Sequence, residues 1–206
     1  MRLKNIKGAK EFVDCSSYII KEPHRYIGNY KSLFKNKNKI ELEIGVVKGD
    51  FLVKKAIDNP NINYVGIEKY ASVLMFAIKK VESLNLKNIK FILCDAKDVN
   101  LIFKKEISKL YLNFSDPWPK NRHEKRRLTS NVFLDKYDSI FKTIKVIEQK
   151  TDNDDLFKYS LESFRKKGYI RIKKSIDYVD SYQTEYEKKF RNKNKNINYV
   201  KVIKII

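Results

Sequence analysis

The sequence predicts an α/β fold in which helices cover both faces of a mostly parallel, wound β-sheet. From residue 39 onward, short apolar runs alternate with amphipathic stretches, as strands and helices alternate in such a sheet. Acidic residues follow several of these runs, at the sheet edge where wound α/β proteins bind ligands. With 206 residues, of which 42% are hydrophobic, the chain is long enough for one well-buried domain and too short for two.

The predicted strands are short apolar runs, and the predicted helices place apolar residues at three- and four-residue spacing. The seven strands cover residues 40–44, 64–68, 89–93, 110–114, 144–148, 169–173 and 199–205. The four helices cover residues 51–57, 72–83, 125–141 and 155–167. Because the last two strands follow the final helix, we expect them to form an antiparallel hairpin at one edge of the sheet.

Residues 1–35 precede this pattern and are predicted to form an irregular basic arm, with Pro23 and Gly28 as breaks. The folded domain is then residues 36–206. The first residues lack the apolar core of a signal peptide, and no run approaches the roughly 18 apolar residues of a membrane span. We therefore expect a soluble, cytoplasmic protein with no membrane partner.

The two cysteines, Cys15 and Cys94, have no spacing typical of a metal site. In an intracellular chain, two isolated cysteines are expected to be free thiols rather than a disulfide. The sequence therefore predicts no metal.

The basic charge of the chain points to nucleic acid, although its composition weakens that argument. The formal charge is +20, but 37 of the 45 basic residues are lysine, as in a chain with biased composition. Arginine is scarce, so the placement of Arg122, Arg126 and Arg127 within six positions is informative. The planar guanidinium suits phosphate and base edges. This strip, which also contains His123 and Lys125, is predicted to contact RNA, the alternative being a solvated helix face.

The first predicted strand runs into a turn marked by Gly45 and Gly49 and then into a helix, an arrangement that lets a small ligand approach the backbone. Such a turn alone is a weak signal. About 20 residues later the second strand ends at Glu68, the spacing of the acid that binds ribose hydroxyls in nucleotide-binding folds.

Three acids, Glu43, Glu68 and Asp95, lie at or near the carboxyl ends of successive predicted strands. Together they repel phosphate, which disfavours a pyrophosphate cofactor such as NAD. A ligand that contains an adenosine and a positive centre fits better, and S-adenosylmethionine is the common one. The alternative is that each acid is an ordinary cap or a solvated strand end.

The fourth predicted strand leads into Asp116, which is followed by the sequence PWPKNRHEKRR. Pro117 and Pro119 stiffen the backbone around Trp118. The junction places an acid at the ligand-binding edge of the sheet, directly before a polyanion-binding surface. The tryptophan alternatively caps the core.

These residues resemble the bacterial-type tRNA (guanine-N7)-methyltransferases. The resemblance rests on NFSDPWPKNRHEKRRL at residues 113–128, KTDN at residues 150–153 and TEYEKKF at residues 184–190, and it spans residues 39–206. It implies the Rossmann-like class I methyltransferase fold and S-adenosylmethionine as the cofactor. It also implies an enzyme that methylates N7 of guanosine 46 in the variable loop of tRNA, as a monomer or homodimer.

The resemblance also implies a role for individual residues. The cofactor-binding residues are Glu43, Gly45, Glu68, Asp95, Ala96 and Asp116, and Asp116 is also the catalytic residue where the donor meets the base. The substrate-binding residues are Lys120, Asp152, Thr184, Glu185, Tyr186 and Glu187. The RNA-binding residues are Arg122, His123, Lys125, Arg126 and Arg127.

The sequence departs from the family pattern at two places. Val47 occupies the middle of the first turn, where the family has glycine, and a β-branched residue resists positive φ there. We expect a reshaped donor pocket, a lower donor affinity or a different path of the loop. The second departure is the absence of glycine from residues 142–146, which we expect to affect only a connection.

The implied reaction needs no general base, because N7 of neutral guanine carries a lone pair and no proton. Catalysis then depends on alignment, and His123 is not expected to act as an acid or base. Trp118, Tyr182 and Tyr186 are candidates to stack on the displaced guanine. Two alternatives remain: a non-catalytic RNA-binding protein on a methyltransferase scaffold, and a methyltransferase that acts on another base.

Overall fold

The computed structural model describes residues 6–205, and a seven-stranded sheet organises them. The spatial order of the strands is β3-β2-β1-β4-β5-β7-β6. The strands are β1 Lys39–Ile44, β2 Ile62–Glu68, β3 Ile89–Leu93, β4 Ile107–Asn113, β5 Ile144–Thr151, β6 Ile170–Ser175 and β7 Asn198–Ile205.

The strands β1 to β5 pair parallel to one another, whereas β7 pairs antiparallel with both β5 and β6. The prediction of a mostly parallel sheet with an antiparallel edge hairpin is therefore confirmed. Because the parallel strands all end at the same edge, Glu43, Glu68 and Asn113 are brought to that edge together.

Within residues 6–205, seven α-helices flank the sheet. They are α1 Ala9–Cys15, α2 Asp50–Asp58, α3 Ala71–Ser83, α4 Val99–Ile102, α5 Asn131–Asp138, α6 Asp154–Lys166 and α7 Glu185–Arg191. Two hydrophobic clusters bury the helices against the sheet. One contains the apolar residues of α1, α2 and α3, and the other contains those of α4, α5 and α6. Alternate residues of a strand face opposite sides, so the two clusters lie on opposite faces.

The sequence predicts an irregular arm over residues 1–35, but the described part of this segment is ordered against the domain. It contains α1 and two 3-10 helices, Pro23–Tyr26 and Tyr30–Phe34. The backbone N–H of Ile20 donates to the carbonyl of Phe91 at 2.8 Å, and Tyr30 is fully buried. The buried apolar residues of this segment are single and widely spaced, so they form no periodic run from which helices could be predicted. Residues 1–5 lie outside the described residues.

The predicted helix over residues 125–141 is confirmed only where α5 forms, and its first part is wrong. A 3-10 helix, Asn121–Arg126, ends at Arg127, which is extended at φ −64° and ψ 131°, and α5 begins only after Ser130. The reason lies outside the segment, because the Arg127 guanidinium donates to the carbonyls of Pro117 and Trp118. These bonds hold the chain away from the helical path.

None of the helices within residues 6–205 combines the length and apolar character needed to span a bilayer. In the same part of the chain, no three His, Cys, Asp or Glu side chains come together as a metal site. Cys15 and Cys94 are both free.

Candidate active site

A pocket opens at the carboxyl edge of the sheet, between the turn after β1, the end of β4 and the start of α7. It is lined by Glu43, residues 45–51, Asn113, Phe114 and residues 184–186. Segments that are far apart in the sequence therefore meet at one place. Of the predicted site residues, Glu43, Gly45, Thr184, Glu185 and Tyr186 line this pocket directly.

The turn after β1 places three residues in the left-handed region: Gly45 at φ +83°, Val47 at +54° and Gly49 at +80°. Hydrogen bonds hold the turn there, since the N–H of Gly45 donates to the Ile67 carbonyl at 2.8 Å and the N–H of Val47 donates to Glu68 Oε2 at 3.1 Å. Val47 thus keeps a backbone conformation that suits glycine. A β-branched residue in this conformation is strained by about 1–2 kcal/mol.

Replacing Val47 with glycine is expected to raise the free energy of unfolding by about 1 kcal/mol, because the strain is larger than the backbone entropy that glycine costs. Urea unfolding of the two proteins measures the difference. The matched control is Val132→Gly in α5, where the valine is helical and partly exposed, and where glycine should destabilise. A Val47→Gly protein less stable than wild type would show that the turn is not strained.

Glu43 is the buried acid of the pocket, with 1% of its surface exposed. Asn113 Nδ2 donates to Glu43 Oε1 at 2.8 Å, while Oε2 has no hydrogen-bond partner among residues 6–205. Burial raises the pKa of Glu43 to about 8, although the Asn113 hydrogen bond and the charge of Lys150 both oppose the rise. The pocket therefore contains a buried carboxyl group whose second oxygen lacks a partner among residues 6–205, and a cationic ligand would favour its ionised form.

The raised pKa of Glu43 makes a testable contribution to stability. Between the ordinary glutamate pKa of 4.5 and about 8, the folded protein holds a proton that the unfolded chain releases. Stability should therefore fall as pH rises through this window, by up to about 1.4 kcal/mol per pH unit. We expect Glu43→Gln to remove that slope, so that the variant gains on wild type between pH 5 and pH 8 in urea unfolding. Glu162→Gln, at an exposed position on α6, should leave the wild-type slope intact.

Glu68 lies at the end of β2 and is bound by the backbone. Its Oε1 accepts from the N–H groups of Lys69 at 2.8 Å and Tyr70 at 3.1 Å, in addition to the bond from Val47 to Oε2. Burial raises the pKa of Glu68, and the charge of Asp116 acts in the same direction, so the two carboxylates are close. Of about four acceptor positions on the carboxylate, one remains free for a ligand hydroxyl.

Asp95 follows β3 and caps the short 3-10 helix Ala96–Asp98, where its Oδ1 accepts from the N–H of Lys97 at 3.0 Å. Lys69 Nζ lies 2.8 Å from Asp95 Oδ2, and this hydrogen bond holds the pKa of Asp95 below its usual range. The first residue of this helix, Ala96, is half-buried. Asp95 is thus an ionised acid at the same edge as Glu68, although it does not line the pocket itself.

The loop after β4 carries Asp116 at an exposed position. Its backbone is strained on both sides, because Phe114 has φ +51° and Trp118 has φ +44°. The N–H of Phe114 donates to the carbonyl of Lys150 at 2.8 Å, which anchors the start of the loop. Ser115, beside the acid, has a buried Oγ without a partner among residues 6–205, and no sequence pattern indicated it.

Arg127 holds the far side of this loop. Its Nε donates to the carbonyl of Pro117 at 3.1 Å, one terminal nitrogen donates to the carbonyl of Trp118 at 3.1 Å, and the guanidinium lies 4.3 Å from the centre of the Tyr159 ring. The resemblance implies that Arg127 binds RNA. In the structure its donors are used to position the Asp116 loop, so it differs from the exposed arginines beside it.

The rest of the basic strip is available on the surface. Lys120, Arg122, Lys125 and Arg126 are exposed. Trp118 does not cap the core; it is half-buried, with the Arg126 guanidinium 5.0 Å from its ring and His123 edge-on at 5.6 Å. The strip therefore presents cations around an aromatic ring, a surface suited to phosphates and bases.

Glu187 does not line the pocket. It is fully buried and lies 3.2 Å from Lys150 Nζ, which also donates to Asp180 Oδ1 and to the carbonyl of Tyr182, both at 2.8 Å. The N–H of Glu187 donates to the Oγ1 of Thr184, which caps α7. The resemblance makes Glu187 a substrate contact. The structure instead places it in an ion network that fixes α7, while its neighbours Thr184 to Tyr186 face the pocket.

An aromatic stack borders the pocket. Phe190 lies between Phe114 at 6.0 Å and Tyr186 at 6.2 Å, measured between ring centres. Of the predicted stacking residues, Tyr186 is in this stack, whereas Tyr182 packs on Phe51 and under the ammonium of Lys55. Phe114 and Phe190 were not among the predicted site residues. The four-residue spacing of Tyr186 and Phe190 is the signal that suggests a shared helix face.

Asp152 also lies outside the pocket. It is half-buried, and its Oδ2 lies 3.4 Å from Lys195 Nζ in a neighbouring groove.

The chain matches a known protein family and several named relatives. The family described as "Putative methyltransferase" matches residues 37–200. The chain is 44% identical to the tRNA (guanine-N(7)-)-methyltransferase of Lachnoclostridium phytofermentans over 197 residues, which cover 92% of each chain. It is also 44% identical to the protein of that name from Streptococcus mutans, with 94% of this chain and 95% of the relative covered.

Solved structures show the same fold at low sequence identity. An antibiotic-related methyltransferase matches with a TM-score of 0.69 and 18% identity, over 98% of this chain and 99% of the other. A SAM-dependent methyltransferase from Aquifex aeolicus matches with a TM-score of 0.58 and 13% identity, over 96% and 97% of the two chains. The predicted Rossmann-like methyltransferase fold is confirmed.

Proposed function

The chain belongs to the tRNA (guanine-N(7)-)-methyltransferase family, and from this premise we propose that it transfers the methyl group of S-adenosylmethionine to N7 of guanosine 46 in tRNA. The observation that carries the proposal is the position of the acid-lined pocket, which shares one sheet edge with Asp116 and the basic strip. A donor pocket and an RNA-binding surface thus meet at the residue assigned to catalysis.

The residues of the pocket fit a cationic nucleoside. The Oε2 of Glu43 has no partner among residues 6–205, and it can accept from an ammonium group when that cation favours the ionised form of the carboxyl. Glu68, beside the pocket, has one acceptor position left for a ribose hydroxyl. Negative charge on Glu68 and Asp95 repels phosphate, which discriminates against pyrophosphate cofactors. We assign Asp95 and Ala96 to the adenine side of the donor site, next to the pocket. When bound, S-adenosylmethionine supplies an activated methyl group on a positively charged sulfur.

The protein contributes alignment and electrostatics rather than proton transfer. Phe114 and Tyr186 offer aromatic faces at the pocket, on which the displaced guanine can be held. Methylation makes the guanine cationic, and the carboxylate of Asp116 stabilises that developing charge. N7 has no proton to lose, so His123, which packs edge-on against Trp118, is given no acid or base role. Lys120 and the exposed arginines bind the surrounding phosphates.

The alternative of a non-catalytic RNA-binding scaffold rested on Val47 together with the high charge. The turn around Val47 has left-handed geometry and a hydrogen bond to Glu68, so the valine is accommodated in a strained turn that still binds Glu68. This observation favours the enzyme. The tRNA substrate and the reaction agree with a cytoplasmic protein.

Transfer of a labelled methyl group to unmodified tRNA transcripts tests the proposal. One transcript carries guanosine at position 46 and its matched control carries adenosine there. Label should enter the first transcript as 7-methylguanosine and should be absent from the second. Equal labelling of both would show that another nucleotide is the target, and tight tRNA binding without any label would indicate the scaffold.

A further inference from the structure

A second groove lies beside the pocket, between α6 and the segment that leads into β7. Its volume is about 510 Å³. The floor is apolar, with Phe157, Leu161 and Ile176, and the side chain of Ile176 is 64% exposed. Three lysines, Lys158, Lys174 and Lys195, stand around this floor.

The charge of the groove is positive once its internal pairs are counted. Its two carboxylates are engaged, since Asp152 pairs with Lys195 at 3.4 Å and Asp154 accepts from Asn198 Nδ2 at 2.7 Å. Lys158 and Lys174 are exposed, and neither has a salt-bridge partner among residues 6–205. Two unpaired ammonium groups therefore face an apolar surface.

Side-chain contacts link the groove to the donor pocket. Lys195 Nζ reaches both Asp152 and the ring of Phe190, whose centre is 5.6 Å away. Phe190 in turn stacks on Phe114, which lines the donor pocket. The linings of the groove and of the donor pocket are thus connected through Lys195, Phe190 and Phe114.

We propose that this groove binds the sugar–phosphate strand of the tRNA next to the methylated guanosine. The inference rests on the proposed function. Lys158 and Lys174 neutralise phosphates, Lys195 adds to the positive field beside Asp152, and the exposed Ile176 with the half-buried Leu161 packs against sugar or an unstacked base. The target guanine has to leave its tertiary contacts to reach the donor, and the groove holds the strand while it is displaced.

The chemistry of the groove lining favours RNA over an acidic protein segment. Cations interleaved with aromatic and aliphatic surface suit a strand that offers phosphate and base faces together. The Lys174 ammonium lies 5.8 Å from the centre of the Phe157 ring, so charge and apolar surface share one small area.

The test compares two triple variants that remove equal charge. The groove variant removes its three lysines through Lys158→Ala, Lys174→Ala and Lys195→Ala. The edge variant carries Lys104→Ala, Lys105→Ala and Lys142→Ala at the opposite edge of the sheet, where β4 and β5 begin. Binding of tRNA is measured over a range of salt concentrations. The groove variant should bind roughly tenfold more weakly, and its salt slope should be smaller by up to about 0.9 per lost phosphate contact. The edge variant should match wild type.

Separate measurements distinguish this inference from the proposed function. S-adenosylmethionine binding to the groove variant, measured by calorimetry, should equal that of wild type, and so should thermal unfolding. In wild-type protein, tRNA should protect Lys158 and Lys174 from an amine-reactive reagent but leave Lys104 and Lys142 reactive. An unchanged tRNA affinity or a lack of protection would overturn the inference, including the case in which the groove takes an acidic protein. A wrong methylation site, with these effects intact, would overturn only the proposed function.

Discussion

Replacing Asp116 with asparagine is expected to lower kcat by about 100-fold or more while tRNA affinity stays within about threefold of wild type. Asp116 is exposed at the tip of a loop held by Arg127 and by the carbonyl of Lys150, so the substitution leaves the loop in place. The amide keeps the shape of the side chain but cannot balance the charge that develops on guanine in the transition state. Single-turnover methylation and a tRNA binding isotherm measure the two quantities.

The matched control for this variant is Asp14→Asn on α1, which changes the net charge equally at an exposed position on a different element. It should leave both kcat and tRNA affinity unchanged. If Asp116→Asn methylates tRNA at the wild-type rate, the carboxylate has no part in the chemical step. If it loses tRNA affinity and rate together, the residue binds substrate uniformly and does not act in the transition state.

Replacing Lys150 with methionine is expected to lower the free energy of unfolding by about 3–5 kcal/mol, because it leaves Asp180 without its cation and the buried Glu187 with only Arg191, 3.4 Å away. The ammonium, 3% exposed, joins Asp180, the carbonyl of Tyr182 and Glu187. For a chain of this length the loss corresponds to about 10 °C in Tm. Donor affinity should fall as well, because the network holds residues 184–186 at the pocket. Thermal unfolding and calorimetric titration with S-adenosylmethionine measure both effects.

Lys201→Met provides the comparison for Lys150. Lys201 lies on the adjacent strand β7, and its ammonium is 3.8 Å from Glu148 in a partly exposed pair, so its loss should cost no more than about 1 kcal/mol. Combining Lys150→Met with Glu187→Gln should restore part of the lost stability, since the buried carboxylate charge that has lost Lys150 is then removed. A Lys150→Met protein as stable as Lys201→Met would rule out the network as the anchor of α7.

The fold was predictable where the sequence signal is local. The strands β1 to β5 are largely buried and rich in Ile, Leu, Val and Tyr, so they were found with small errors at their ends. The helices α1, α4 and α7 have seven, four and seven residues, too few for a periodic pattern to emerge, and none was predicted. The predicted helix over residues 125–141 was too long at its start, because the carbonyls of Pro117 and Trp118 bind Arg127.

The candidate site follows the same division. Glu43, Glu68 and Asp95 were found because each lies at or near the carboxyl end of a strand, and parallel strands carry these ends to one edge. The roles of Arg127 and Glu187 could not be predicted, because the partners that use their charges are 10 and 37 residues away in the sequence. A motif indicates which side chains are near the site, but it does not tell which of them already form hydrogen bonds or ion pairs within the protein.

The position of β7 in the sheet has a consequence for how the chain is made. β7 is synthesised after β1 to β6, yet it lies between β5 and β6 and pairs with both. Until residues 198–205 have left the ribosome, β5 is an open edge, and β6 has no partner beside it. A chain without these residues therefore loses two ladders at once, and β6 cannot join the sheet.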